Sequence, residues 1–335
     1  MKWAFEGKLS EHWRNNNPNS ITSKDFVTEV NKLRENNYKQ KVEQWKLSKN
    51  KHDLKIPKPQ KPSNINSNNF LNKELLNRSV LPKEWEIVPL VFVSDNEPNS
   101  IVDGPFGSSI NVKEDYIDSG VPVIRMVNIR PLLFVKEQMK YIKESKFQEL
   151  RRHNILSGDI LIAKVGATIG DCCIYPINEP EGMLSTTGSC RIRVDKNVIN
   201  AKFLEYYISF NKHTLQRIAS QTAQPFLNMD VVKSYPVVLP LLNEQENIIK
   251  ELESKLTVCD KIEETIDCSL KQAEALRLSI FKKAFEGKLV PQDPNDEPAE
   301  KLLERIRALR QAQIKQGNGK PEMKVKASAK KTQLA

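Results

Sequence analysis

Two Glu-x-Lys triplets, Glu6-Gly7-Lys8 and Glu286-Gly287-Lys288, carry the spacing that a metal-dependent nuclease uses. That chemistry needs a further carboxylate beside the triplet on a neighbouring strand, so that a divalent cation is shared between acidic groups. Both triplets fall where helices end, and the sequence around them offers no such partner. A second candidate is Lys164, which follows Asp159 on an apolar strand and precedes the turn Gly166-Ala167-Thr168-Ile169-Gly170. Nothing in the sequence supports a catalytic role for it. The chain has no Gly-x-x-x-x-Gly-Lys-Ser/Thr phosphate loop and no Asn/Asp-Pro-Pro-Tyr/Phe stretch, which argues against nucleotide hydrolysis and base methylation by those routes. Five cysteines, at 172, 173, 190, 259 and 268, form no Cys-x-x-Cys pair and show no zinc spacing. They read as free thiols of a cytoplasmic protein. Only four histidines occur, and no metal, cofactor or catalytic residue is expected.

Charge points to a partner instead. The net charge is +10 with pI about 9.2, a balance that suits a polyanion. The excess is spread along the chain. Residues 32–61 hold ten Lys/Arg against three Asp/Glu, and residues 313–335 hold six lysines and one glutamate. No apolar run approaches the roughly 18–20 residues of a membrane span, so no membrane partner is expected.

The elements that would position any site divide the chain into five stretches. Residues 1–20 read as the end of a helix, closed by Asn15-Asn16-Asn17-Pro18-Asn19. Residues 21–80 begin with a helix over 22–50, capped at Thr22-Ser23-Lys24-Asp25 and carrying Phe26, Val27, Val30 and Leu33 at helical spacing. A linker follows, marked by Pro57, Pro59, Pro62 and the Asn/Ser run at 63–69. Residues 81–240 change to short β-rich runs at 87–92, 121–129, 159–165, 172–175, 189–194 and 235–239, with helices near 144–151 and 200–219. Regular crossover helices are lacking, so the fold class is α+β with a mixed or mostly antiparallel sheet. From 241 to 289 the apolar period switches to three and four. Ile249, Leu252, Leu256, Ile262, Ile266, Leu270, Leu276 and Ile280 line one stripe. A single helix of about 45 residues, roughly 65–70 Å long, is predicted, and that length favours a coiled coil. Glu263 and Arg277 occupy positions that a strict heptad would make apolar, so loose or antiparallel pairing is expected. Residues 290–335 give a short charged helix at 297–313 and a basic tail that reads as disordered.

The six residues AFEGKL occur twice, at 4–9 and at 284–289. The separation far exceeds the 20–50 residues of solenoid repeats, so a repeated unit would be domain-sized. The second copy ends the long helix, with Gly287 as its closing glycine. The first reads as the end of an equivalent helix whose upstream part is not in this chain.

Several stretches in order resemble the DNA-specificity subunit of type I restriction–modification enzymes. They are Leu81–Trp85, Asp103-Gly104-Pro105-Phe106-Gly107-Ser108-Ser109, Gly120–Arg125, Gly158–Gly166, Gln224-Pro225-Phe226-Leu227-Asn228, Pro236–Pro240 leading into Asn243-Glu244-Gln245, and Ile280–Leu289. The resemblance implies a non-catalytic subunit in which two target-recognition domains are each followed by a long helix, the two helices packing antiparallel. This chain shows one recognition domain, one complete helix and the last turns of another (Trp3 to Arg14), and so looks like the C-terminal half of such a subunit.

The resemblance further implies double-stranded DNA as the ligand, read as half of a bipartite site. It implies a methyltransferase (modification) subunit, a restriction/motor subunit through the complex, and a second half-subunit or homodimer through the long helix as partners. Base edges and phosphates require polar and basic loop residues. Those offered are Ser108, Ser109, Lys113, Arg125, Asn128, Arg130, Lys164, Thr168, Thr186, Thr187, Arg191, Gln221, Gln224 and Asn228. A different class of protein, a coiled-coil scaffold whose α+β domain binds protein rather than DNA, is distinguished by the steep salt dependence of phosphate contacts.

Overall fold

The computed structural model describes residues 1–18, 21–49, 59, 61–62, 80–219, 225–291 and 293–315. Most of the expected linker at 57–69, Gln221, Gln224 and the basic tail past residue 315 lie outside the described residues. The chain divides into two units, residues 1–259 and 260–335. Among the described residues no helix is long and apolar enough to cross a membrane.

The first unit opens with three helices, α1 (Lys2–Phe5), α2 (Glu11–Asn16) and α3 (Ser23–Lys49). Strand β1 (Glu86–Pro89), the short α4 (Leu90–Val93) and β2 (Ile101–Asp103) follow. Next come β3 (Val121–Ile124), β4 (Ile129–Arg130), β5 (Leu133–Phe134), β6 (Lys140–Ile142), α5 (Glu144–Glu149) and β7 (Asn154–Ile155). Then come β8 (Ile160–Ala163), β9 (Cys172–Ile174), β10 (Gly182–Leu184) and β11 (Ser189–Ile192). Helices α6 (Ala201–Phe210), α7 (Lys212–Ala219) and α8 (Met229–Ser234) lead to β12 (Pro236–Leu239) and the long α9 (Leu242–Phe285). Helix α10 (Ala299–Lys315) belongs to the second unit.

The α+β class is as the sequence predicts, and the sheets are mixed and antiparallel. One four-stranded sheet runs β2-β11-β8-β9, all antiparallel. The other runs β6-β3-β10-β7, with β3 and β10 parallel. Two differences are instructive. The expected strand at 87–92 stops at Pro89, and Leu90–Val93 turns helical. An apolar run buried all round carries no period that separates strand from helix. The strands at 101–103, 133–134, 140–142, 154–155 and 182–184, two or three residues each, leave no periodic trace to read.

Alternation sets where side chains go. On β8, Ile160 and Ile162 enter the main core, while Leu161 enters a second cluster with Ile124, Ile155, Tyr175 and Leu184. The main core is formed by α4, α6, β12, Trp85 and the first turns of α9, and it takes in Ala4, Phe5 and Val27 from the N-terminal helices. Helix α3 lays Phe26, Val27 and Val30 on this core. Its buried Arg34 donates to the Phe92 carbonyl at 2.7 Å and to Asp195 Oδ2 at 2.7 Å.

The start of α9 is pinned by polar residues. Glu244 is 2% exposed, and its carboxylate accepts from Ser10 Oγ (2.7 Å), Arg14 Nη1 (2.5 Å) and Trp85 Nε1 (2.9 Å). Gln245 accepts from the Asn200 amide at 2.8 Å and donates to the Pro240 and Val198 carbonyls. The acidic first turn of α9 thus joins three segments through one buried carboxylate, beyond any effect on the helix dipole.

Three of the expected coiled-coil positions need correction. Leu252 is buried in the main core, and Ile249 and Leu256 pack against it. The stripe turns toward the domain over these residues, with Leu252 fully taken up and Ile249 and Leu256 half-buried. In the second unit Ile262, Ile266, Leu270, Leu276 and Ile280 are all exposed, by 43–62%. On α10, Leu302, Leu303, Ile306 and Leu309 are exposed as well.

Candidate nucleic-acid interface

Five loops of the first unit are tied together by backbone hydrogen bonds. The Gly104 amide donates to the Ser189 carbonyl (3.1 Å), and the Lys164 amide to the Gly188 carbonyl (2.8 Å). The Leu227 amide donates to the Lys164 carbonyl (2.9 Å), and Val165 bridges Phe226. The Ser185 amide donates to the Ile124 carbonyl (2.9 Å). The loops after β2, β3 and β8, the β10–β11 connection and the approach to α8 therefore meet at one rim. The crossing is tight: a Cβ at Gly104 would lie 2.1 Å from the Thr186 carbonyl oxygen.

Polar side chains line this rim, and some are engaged locally: the Thr168 hydroxyl donates to the Val165 carbonyl at 3.1 Å, and that of Thr186 accepts from the Gly188 amide at 3.3 Å. Ser108 and Asn228 are exposed, and Ser109, Thr168, Thr186 and Thr187 are half-buried. Asn228 also caps α8, its Oδ1 accepting from the Asp230 amide at 3.1 Å. Arg125, half-buried, follows β3, and its guanidinium donates to the Gln138 carbonyl at 2.5 Å. Lys113 is exposed in the turn at 111–115, and Arg130 is exposed on β4. Two apolar residues that sequence type alone would place inside are exposed here: Phe106, 77% exposed, and Phe226, 38% exposed. Both lie inside the quoted motifs Asp103–Ser109 and Gln224–Asn228.

Three expected contact residues are corrected by burial. Asn128 is fully buried: its Oδ1 accepts from the Arg125 amide (3.0 Å), and its Nδ2 donates to the Val135 and Glu137 carbonyls (2.9 Å each). It builds the turn after β3. Lys164 is fully buried, with Nζ 3.4 Å from Asp103 Oδ2 and 4.8 Å from the Phe226 ring centroid. It extends the inward alternation of Ile160 and Ile162. Arg191 is 1% exposed, lies opposite Leu161 on β11, and donates to the Asn99 carbonyl at 2.8 Å. Burial lowers the Arg191 pKa to about 10, which leaves it charged at neutral pH, 3.9 Å from Asp159. The Asp159 carboxylate is held bidentately by Arg193 at 2.9 and 2.8 Å.

The thiols here are not nucleophiles. Burial pushes Cys173 and Cys190 up to about 12 and Cys172 well above its ordinary value, so all three stay protonated. The two Glu-x-Lys triplets are helix-end ion pairs, Lys8–Glu6 and Lys288–Glu286, each at 3.0 Å.

Comparison with known proteins gives the family. Residues 105–272 match the family model described as the type I restriction modification DNA specificity domain. The EcoBI specificity subunit of Escherichia coli is 28% identical over 72% of this chain and 52% of its own length. The EcoAI specificity subunit of Escherichia coli is 24% identical over 96% of this chain and 56% of its own. The chain spans about half the length of the curated relatives it matches. A solved chain from work on complex assembly and conformational transition of the type I restriction–modification system shares the fold, with TM-score 0.50 and 19% identity over 79% of this chain and 56% of that one. With half of its length matched by the family model and its loops gathered on one rim, the chain belongs to the type I restriction modification DNA specificity domain family.

Proposed function

We propose that the chain is a DNA sequence-recognition subunit of a type I restriction–modification system, acting in the cytoplasm. It reads one half of a bipartite site in double-stranded DNA and docks the methyltransferase (modification) subunit and, through the complex, the restriction/motor subunit. The observation that carries this is the rim of five hydrogen-bonded loops presenting Ser108, Ser109, Arg125, Thr168, Thr186, Thr187 and Asn228, on a chain of net charge +10. Hydroxyls and amides of this kind pair with base edges, and basic groups with phosphates. Arg130 and Lys113 suit the phosphate role, and Gln221 and Gln224 are offered for base edges on residue type alone. Phe106 adds an apolar surface suited to a thymine methyl.

The chain itself neither cuts nor methylates in this reading, and turnover by the isolated protein with magnesium or S-adenosylmethionine would refute it. The exposed stripe on α9 serves pairing with a second half-subunit or a second copy. A homodimer would read an interrupted palindrome, because two-fold protein symmetry is mirrored in the site. Selection from random duplexes, with and without the modification subunit, is the direct test. Enrichment of one short motif is expected, with affinity falling steeply as salt rises. Binding that ignores both DNA sequence and salt would favour a protein-binding scaffold.

A further inference from the structure

The two copies of AFEGKL share a local structure and differ in surroundings. Helix α1 ends at Phe5, with Gly7 at φ 75°; α9 ends at Phe285, with Gly287 at φ 69°. The Lys–Glu ion pair recurs at the same positions, and Lys2 corresponds to Lys282 two residues before the alanine. The second copy thus already holds the main features of the first copy's docked form. That first copy fills a pocket. Ala4 is 1% and Phe5 4% exposed, and the Phe5 ring centroid lies 5.5, 5.3 and 5.4 Å from those of Phe203, Tyr207 and Phe210 on α6. In the second copy Phe285 is 91% and Leu289 49% exposed.

We propose that Ala284–Leu289 of one copy of the chain seats in the α6 pocket of a second copy, replacing that copy's own Ala4–Leu9, and that the exchange is reciprocal. This rests on the pairing of α9 stripes argued above and supplies its end point. An antiparallel pair brings the end of one α9 level with the start of the other, and that start lies beside α6: Gln245 holds the Asn200 amide at the head of α6, and Tyr206 donates to Glu253 at 3.3 Å. At the pocket the exchange swaps like for like. Its gain is the stripe from Ile262 to Phe281, which becomes covered at the same time. The resident segment sits on a four-residue helix, far below the length at which a helix is stable alone, and the exchange must also release Arg14 Nη2 from the Gly7 carbonyl (3.0 Å) and Gly7 from its place against Pro82.

The test replaces Phe285 with the photo-crosslinker p-benzoylphenylalanine in the full chain and irradiates an equal mixture of 14N and 15N copies. The expected product joins position 285 to the peptide containing Ala201–Phe210, between differently labelled copies. Phe285→Ala should weaken self-association roughly tenfold or more, with the domain's thermal unfolding unchanged. Sedimentation separates the two ways of failing. A dimer whose crosslinks avoid α6, or join 285 to α6 of the same copy, overturns the exchange and leaves the pairing intact. A monomer at micromolar concentration overturns the pairing, and the exchange with it.

Discussion

Helix α9 passes from one environment to another without a break in its periodicity. Over its first three turns Glu244, Gln245, Ile248 and Leu252 are buried. From Ile262 to Phe285 the same apolar stripe faces water. Apolar spacing alone therefore establishes amphipathicity and says nothing about what covers it. What marks the docked part is polar: two adjacent side chains, Glu244 and Gln245, too satisfied by neighbours to be surface residues. The free part carries short-range pairs, such as Arg277 over the Phe281 ring at 5.4 Å.

The strongest way to break this contrast is Glu244→Ala. Ser10, Arg14 and Trp85 would all lose their acceptor. Removing one partner from a buried charged network costs about 3–5 kcal/mol, so the unfolding midpoint should fall by roughly 6–20 °C. Glu264→Ala on the free part should change stability by less than about 0.5 kcal/mol. Equal effects in differential scanning calorimetry would show that the two parts are not differently held.

Leucines sharpen the same point. Leu252→Ala should cost about 2–5 kcal/mol through a cavity in the main core. Leu270→Ala, at a residue 62% exposed, should leave domain unfolding within about 0.5 kcal/mol while weakening self-association. Denaturant midpoints and sedimentation, run on both variants, separate the two roles.

The same limit explains what was legible in the sequence. The α+β class, α3, α6–α7, α9 and α10 followed from period and punctuation, because each is long enough to repeat its pattern. The rim could be assembled only in three dimensions, since β2, β8 and β11 come together across some 90 residues of chain. Lys164 and Arg191 read as loop cations on charge alone. Ile160, Ile162 and Lys164 share one strand face, and that spacing did point inward. Asn128 gave no such sign: a buried asparagine satisfying three backbone groups has the same sequence appearance as an exposed one.

Burial also divides the cations of the rim. Lys164→Ala should destabilise the domain by about 1–3 kcal/mol, because Asp103 loses its buried partner, with DNA affinity lowered only as far as folding is. Arg125→Ala should cost about 1 kcal/mol or less in stability, yet reduce the slope of log affinity against log salt by about one. A salt slope changed by Lys164→Ala and not by Arg125→Ala would reverse the assignment of these two side chains.

The smallest expected difference lies between two glycines in identical sequence. Gly7 and Gly287 both take a left-handed backbone that costs other residues about 1–2 kcal/mol. Gly287→Ala should fray the end of α9 through that strain, seen as faster amide exchange at Lys288, whose amide donates to the Lys283 carbonyl at 2.7 Å. The domain's unfolding midpoint should not move. At Gly7 a Cβ would also lie 2.2 Å from Pro82 Cγ, inside the docked surface. Gly7→Ala should therefore lower the midpoint by a few degrees more than its twin, because the overlap must be relieved by shifting α1 or the chain at Pro82. If the two variants matched, the chain at Gly7 and Pro82 would accommodate the added Cβ without cost.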